Sequence, residues 1–141
     1  MYRLHIHVSV PELDEAIRFY SALFAVSPTS IKDGYAKWML DDPSVNFAVS
    51  VSSSEERTGL GHVGIQAETE EEFHALGLRL RETKCNIVDE HKVHCCYAIG
   101  DKSTVVDPAG LEWDRFKLRG HQHAPCKGTA TPPEDFQHLS A

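Results

Sequence analysis

An α+β fold built from two like halves is predicted, and three observations predict it. A His-led, β-branched segment opens each half, at His5 and at His62. An amphipathic helical segment follows each of them. Strand segments separated by Gly- and Pro-containing turns then complete each half. The two leading His stand about half the domain apart, which fits one unit copied twice rather than a solenoid of three or more repeats. Identity between the halves is low, so the repeat rests on element order and on the two His.

The elements follow in chain order. His5 to Val10 reads His-Ile-His-Val-Ser-Val, a strand with His5, His7 and Ser9 on one face and Ile6, Val8 and Val10 on the other. Pro11 and Glu12 open a helix at a position that tolerates proline. Leu13, Ile17, Tyr20 and Phe24 recur at helical spacing, so the helix runs from Leu13 to Phe24, and Pro28 and Ser30 stop it. Asp33-Gly34 is a turn, Tyr35 to Leu40 a strand, Asp41-Asp42-Pro43-Ser44 a turn, and Val45 to Val51 a hairpin partner. Ser52 to Leu60 is a polar linker. His62 to Ala67 is the second His-led strand. Thr69 and Glu72 form a capping-box signature, and Phe73, Leu76 and Leu80, with Leu78 beside them, mark the second helix. A short strand is expected around Asn86 to Val88. Cys95 to Ala98 and Ser103 to Val106 are expected to pair through Gly100-Asp101. Asp107-Pro108-Ala109-Gly110 is a turn before a last strand, Leu111 to Leu118. From Arg119 onward no periodicity remains, and the segment reads as a peripheral tail.

Composition narrows the function classes. The chain has 141 residues, and 41% hydrophobic with 25% charged is ordinary for a globular domain. No apolar run approaches the roughly 18 residues of a membrane span. The first residues lack the apolar core of a signal peptide, which makes the cytoplasm the expected compartment. A net charge of −7 repels phosphate backbones and argues against nucleic acid as the main partner. Four Cys in a cytoplasmic chain are not expected to form a disulfide framework.

The chemistry-bearing residues are His, carboxylates and Cys. If the halves are related by pseudo-twofold symmetry, His5 and His62 become equivalent and converge. Two imidazoles and one carboxylate make a facial triad that holds a divalent metal and leaves positions open for small ligands. The carboxylate is expected from the last strand, where Glu112 and Asp114 share one face; parity does not choose between them. Cys95-Cys96 is an adjacent thiol pair. Soft thiolates prefer soft, polarisable centres, and two neighbouring ones could fill two positions on the same centre. Adjacent strand residues face opposite sides, so the pair must sit in a loop, bulge or strand end. Flanking His91, Lys92 and His94 favour the thiolate. His7 shares the face of His5 and reads as a pocket residue. Trp38 and Tyr35 read as core, Lys37 and Lys102 as surface groups, and Cys85 as structural. Cys126, with His121 and His123, belongs to the tail, which is read as solvated.

The two-copy order, the leading His and the Asp107-Pro108-Ala109-Gly110 turn resemble the vicinal oxygen chelate superfamily, which includes glyoxalase I, bleomycin-resistance proteins and extradiol dioxygenases. The resemblance covers residues 3 to 118 and implies two βαβββ modules, about 3–52 and 60–118, forming a curled, barrel-like mixed sheet around a metal site. Residues 119–141 fall outside it. Residues 13–24, Tyr35 to Pro43, Gly61 to Gln66, and Cys95-Cys96-Tyr97-Ala98 with Asp101-Lys102-Ser103 resemble its cadmium-induced and organoarsenical-lyase branch more narrowly.

That narrower resemblance implies a non-haem Fe(II) enzyme that uses O2 to cleave the carbon–arsenic bond of trivalent organoarsenicals and release arsenite. It implies His5 and His62 as metal ligands, and Cys95, Cys96 and Tyr97 as substrate-binding residues. The third ligand of the branch is a Glu, and the position that matches it is Asp114, shorter by one methylene or about 1.5 Å; Glu112 is the alternative. Two other functions remain open from sequence. One is a thiol-based protein that binds arsenite or cadmium without turnover. The other is another enzyme of the superfamily, a glyoxalase-like isomerase or an extradiol dioxygenase. With two modules in one chain, both a monomer and a homodimer are compatible.

Overall fold

A computed structural model of the chain describes residues 1–53, 57–84, 86–95 and 98–121, with side chains described for these except 89–95, 98–99 and 119–121. The chain divides into two compact units. Among the described residues, one is Arg3–Gly64, and the other combines Met1–Tyr2 with those from Ile65 onward. No helix among the described residues is long and apolar enough to cross a membrane.

The first unit holds β1 (Arg3–Val10), α1 (Leu13–Phe24), β2 (Ser30–Lys32), β3 (Tyr35–Asp41), β4 (Ser44–Val51) and the start of β5 (Gly59–Ala67). Its strands lie in the order β2-β3-β4-β1-β5. β2, β3 and β4 pair antiparallel, while β1 lies parallel to β4 with His5 opposite Asn46. The parallel pair needs a crossover, and α1 lies on the chain that makes it. Glu12 caps α1 by accepting from the Glu15 N–H at 2.9 Å, so Pro11 precedes the cap instead of opening the first turn. The helix stops at Phe24 because Ala25 turns left-handed (φ 55°) and the Val26 N–H returns to the Ser21 carbonyl.

The apolar stripe of α1 explains the core. Leu13, Ala16, Ile17, Tyr20 and Phe24 pack on the side of the sheet that carries Val10, Trp38, Phe47 and Val49. Tyr20 meets Phe47 at a centroid distance of 4.5 Å. Trp38 is fully buried, and its indole N–H donates to the Val26 carbonyl at 3.1 Å. The opposite face of β1 and β4 is polar, yet His7, Ser9 and Asn46 on it are buried.

The second unit holds the end of β5, α2 (Glu70–Glu82), β6 (Ile87–Cys95), β7 (Ala98–Val106) and β8 (Glu112–His121), with strand order β5-β8-β7-β6. The Thr69–Glu72 capping box forms in both directions, with the Glu72 N–H on Thr69 Oγ1 at 3.1 Å. Phe73, Leu76 and Leu80 face inward, whereas Leu78 is half exposed. Gly77 is buried because a Cβ there would lie 1.7 Å from Arg115 Nη1. The Arg115 guanidinium is itself buried. It stacks 4.0 Å from the Phe73 ring centroid and donates to the Phe73 carbonyl at 3.0 Å and to Ser103 Oγ. A cavity of about 330 Å³ lies beside Leu76, Leu80, Val105 and Trp113.

Three expectations need correction here. β2 is an additional edge strand, too short at three residues for alternation to reveal it. β6 and β7 are longer than expected, and Gly100-Asp101 lies inside β7 instead of turning the chain. A register shift between Ile99 and Gly100 brings the Lys117 carbonyl within 2.4 Å of where a Gly100 Cβ would stand, so the glycine serves a close backbone approach. β8 continues to His121, past the expected boundary at Leu118; residues 122–141 lie outside the described ones.

The turn before β8 depends on one carboxylate. Asp107 accepts from the N–H groups of Leu111 (3.0 Å) and Ala109 (2.8 Å) and from the Trp113 indole (3.2 Å). The Leu111 N–H above all holds the Asp107 carboxyl below the ordinary carboxylate range, with Trp113 and Ala109 adding to it. A lowered folded pKa means that this stabilisation is present above the unfolded value and is lost as pH falls through the folded one. In urea melts, the stability gap between wild type and Asp107→Ala should therefore narrow as pH falls from about 6 to about 3. A gap that widens on acidification would contradict the role. Gly77→Ala should lower stability by about 2 kcal/mol, because displacing Arg115 breaks buried hydrogen bonds of a charged group; an unchanged urea midpoint would contradict the close fit.

Candidate functional site

The polar face of β1 and β4 builds the site from backbone register upward. Alternation puts His5 and His7 on the same face of β1. The parallel pairing sets Asn46 opposite His5, and His5 Nδ1 donates to the Asn46 carbonyl at 3.0 Å. A carbonyl carries no proton, so Nδ1 must be the protonated nitrogen of His5. In the neutral ring Nε2 is then the lone-pair atom, the state that a metal ligand requires.

β5 brings His62 to the same place. Its Nε2 stands 3.2 Å from His5 Nε2, with ring centroids 5.1 Å apart. The His62 ring also stacks on His7, at 5.0 Å and 20°. His7 Nε2 in turn meets Ser50 Oγ at 2.8 Å. The two His expected to converge thus do converge, and His7 supports one of them.

The donor set suits a divalent ion. Two nitrogens each about 2.1 Å from one ion, at angles between octahedral and tetrahedral, stand about 3.0–3.4 Å apart. The observed 3.2 Å falls in that window. Without an ion, the same contact is a hydrogen bond that His62 Nε2–H donates to His5 Nε2, since the His5 proton is committed to Asn46.

Asp114 belongs to the second unit. It is buried, with Thr104 Oγ1 donating to Oδ1 at 2.9 Å and the Lys102 ammonium 3.0 Å from Oδ2. Glu112, two residues earlier, is exposed, so burial separates two carboxylates that parity leaves equivalent. Lys102 was expected at the surface; its side chain is only 12% exposed because it pairs with Asp114. Among the described residues, no set of three or more His, Cys, Asp and Glu side chains gathers around one point. The structure therefore brings His5 and His62 together as a pair and places Asp114 with Lys102 and Thr104.

Cys95 is the last residue of β6, paired through its backbone with Ala98 on β7, which puts it at a strand end. Its side chain, and all of Cys96, Tyr97, Cys85, His123 and Cys126, lie outside the described residues. Sequence reasoning missed Asn46, Ser50 and Thr104. Asn46 acts through its carbonyl, which any residue carries, so only the β1–β4 register could have revealed it.

Known proteins resemble this chain in sequence and in fold. The family described as the glyoxalase/bleomycin resistance protein/dioxygenase superfamily matches residues 3–114. A trivalent organoarsenical cleaving enzyme of Bacillus sp. (strain MD1) is 39% identical over 113 residues, covering 79% of this chain and 70% of that one. A probable trivalent organoarsenical cleaving enzyme of Bacillus subtilis (strain 168) is 31% identical over 140 residues, 96% of each chain. The cadmium-induced protein CadI of Mycobacterium bovis is 32% identical over 118 residues, 84% of this chain and 77% of that one. Among solved structures, the Mn(II)-bound glyoxalase of Novosphingobium aromaticivorans has a TM-score of 0.58 at 14% identity, over 89% of this chain and 44% of that one. An extradiol ring-cleaving dioxygenase of B. fuscum has a TM-score of 0.59 at 15% identity, over 87% and 34%. This chain spans less than half of either protein, and both likenesses show the vicinal oxygen chelate fold.

The pair predicts a simple loss. His5→Ala and His62→Ala should each weaken Mn(II) binding, followed by anaerobic calorimetry, by more than the ten- to hundredfold typical of losing a supporting hydrogen bond. Equal Mn(II) affinity in either variant and wild type would remove that imidazole from the site.

Proposed function

The chain belongs to the glyoxalase/bleomycin resistance protein/dioxygenase superfamily, and we propose that it cleaves the carbon–arsenic bond of trivalent organoarsenicals and releases arsenite. The observation that carries this reading is the convergence of His5 and His62 at 3.2 Å in a chain with relatives named trivalent organoarsenical cleaving enzymes. The adjacent Cys95-Cys96 pair supports the substrate class.

His5 and His62 are proposed to hold a divalent metal, Fe(II), with Asp114 as third ligand. Such an ion, when bound, supplies the O2-activating redox chemistry that the side chains of this protein lack. The other roles fall to the chain itself. The Asn46 carbonyl keeps the His5 lone pair on Nε2. His7, braced by Ser50, holds the His62 ring by stacking. The thiols of Cys95 and Cys96 each replace one hydroxide on the arsenical: two S–As bonds form, two As–O bonds break, and two waters leave. The organic group, the one substituent the thiols do not exchange, stays on arsenic and is presented for cleavage. Thiols must stay reduced for this step, which agrees with a cytoplasmic setting.

A second reading is favoured by the setting of Asp114, whose oxygens already receive Thr104 and Lys102. A weakened third ligand fits a protein that sequesters arsenicals or cadmium through its thiols without turnover.

Arsenic speciation separates the two. Anaerobic Fe(II)-loaded protein given one equivalent of methylarsenite should release arsenite only after air is admitted, and Cys96→Ser should release none. Tight binding with no release in air would favour sequestration.

A further inference from the structure

We propose that the cavity under α2 is a binding site for a small neutral aromatic molecule of one or two rings. The inference is independent of the reading of His5 and His62, neither of which lines this cavity.

Every described residue that borders the cavity belongs to the second unit. Val105 on β7 lies directly opposite Trp113 on β8, so the two share the face turned toward α2, and Ile65 of β5 joins them. Leu76 and Leu80, four residues apart on one side of α2, close the space from above. Both leucines face inward yet are only half-buried. Thr83 and Pro108 also border the cavity and are exposed, so its rim meets solvent.

The first unit differs under its own helix. The N-caps Glu12 and Thr69 stand as far apart in sequence as His5 and His62, so α1 and α2 share one frame. In that frame Tyr20 and Phe24 match Gly77 and Arg81. The two rings of α1 pack on Trp38 and Phe47. α2 carries a ring at neither position, and among the described residues the buried apolar cluster belongs to the first unit.

Size and chemistry select the ligand. The volume of about 330 Å³ lies at the lower end of small-molecule sites, which begin near about 300 Å³. A dry apolar cavity of about 150 Å³ already takes up one benzene, so a one- or two-ring molecule fits here. The polar groups beside the cavity are engaged. Arg115 donates to the Phe73 carbonyl and to Ser103 Oγ under the Phe73 ring. Asp107 accepts from the Leu111 and Ala109 N–H groups and from the Trp113 indole. With its one N–H committed to Asp107, Trp113 offers a ligand only ring carbon. A charged ligand would give up water and meet no uncommitted partner, which is costly. A neutral ring gives up little and gains contact with aliphatic side chains and the indole.

The two tryptophans of the chain make the test local. Nitrogen-15 correlation spectra of the whole chain resolve their indole N–H signals, assigned with Trp113→Phe. Toluene and naphthalene are the neutral probes, and benzoate and 2-naphthoate their charged counterparts. A neutral probe should shift the Trp113 signal saturably, leave Trp38 in place and raise the melting temperature. The matched anion should bind at least about tenfold more weakly. Leu76→Phe and Leu80→Phe put a ring of the protein's own into the space and should each abolish the shift; circular dichroism checks their folding, and either folded variant suffices. Leu78→Ala, on the half-exposed side of the same helix, should bind as wild type does. No Trp113 shift with either neutral probe would overturn the site. So would equal binding of the anions, an equal shift of Trp38, or binding that survives in a folded Leu76→Phe or Leu80→Phe variant.

Discussion

One hydrogen bond orders the candidate site: the 3.0 Å contact from His5 Nδ1 to the Asn46 carbonyl. It exists because β1 and β4 run parallel in one register, with His5 opposite Asn46. A shift by one residue would turn His5 and His7 to the other face, against the apolar stripe of α1. The core of the first unit therefore fixes more than stability. Trp38, Phe47, Val49 and the aromatic residues of α1 fill one side of the sheet, and that packing holds the register. The polar face then inherits its geometry, with His5 Nε2 aimed at His62.

The second unit poses a different problem, which is how to bury charge. Arg115 and Asp114 are neighbours on β8 that face opposite sides of the sheet. Arg115 goes under α2, where the missing Cβ of Gly77 makes room and the Phe73 ring covers the guanidinium. Asp114 goes to the other side, where Lys102 and Thr104 meet it. Removing one partner from either arrangement leaves a buried charge uncompensated, which costs more than a well-made pair contributes.

Where the sequence was legible, a single periodicity governed the element. α1 ran over Leu13–Phe24 as its spacing implied, and the Thr69–Glu72 capping box marked the start of α2. The convergence of His5 and His62 followed from their equivalent placement in two like halves. Other features were hidden because they depend on partners distant in sequence. Lys102 looked like any solvent-facing strand lysine until β7 and β8 paired. Gly100 looked like a turn glycine because its partner, the Lys117 carbonyl, arrives from another strand. β2 was too short to show alternation. Glu112 and Asp114 differ in burial, one exposed and the other buried, and parity, which is the same for both, could not show that.

Proton placement on the imidazoles tests the central claim most directly. Nitrogen-15 spectra of the imidazole rings, recorded on metal-free protein at neutral pH and again with saturating Zn(II), report which ring nitrogen is protonated. The account predicts His5 protonated at Nδ1 in both states. It predicts His62 protonated at Nε2 without metal and at Nδ1 with it, as Zn(II) takes the two Nε2 lone pairs. His5 protonated at Nε2 in the metal-free protein, or two rings untouched by saturating Zn(II), would contradict it.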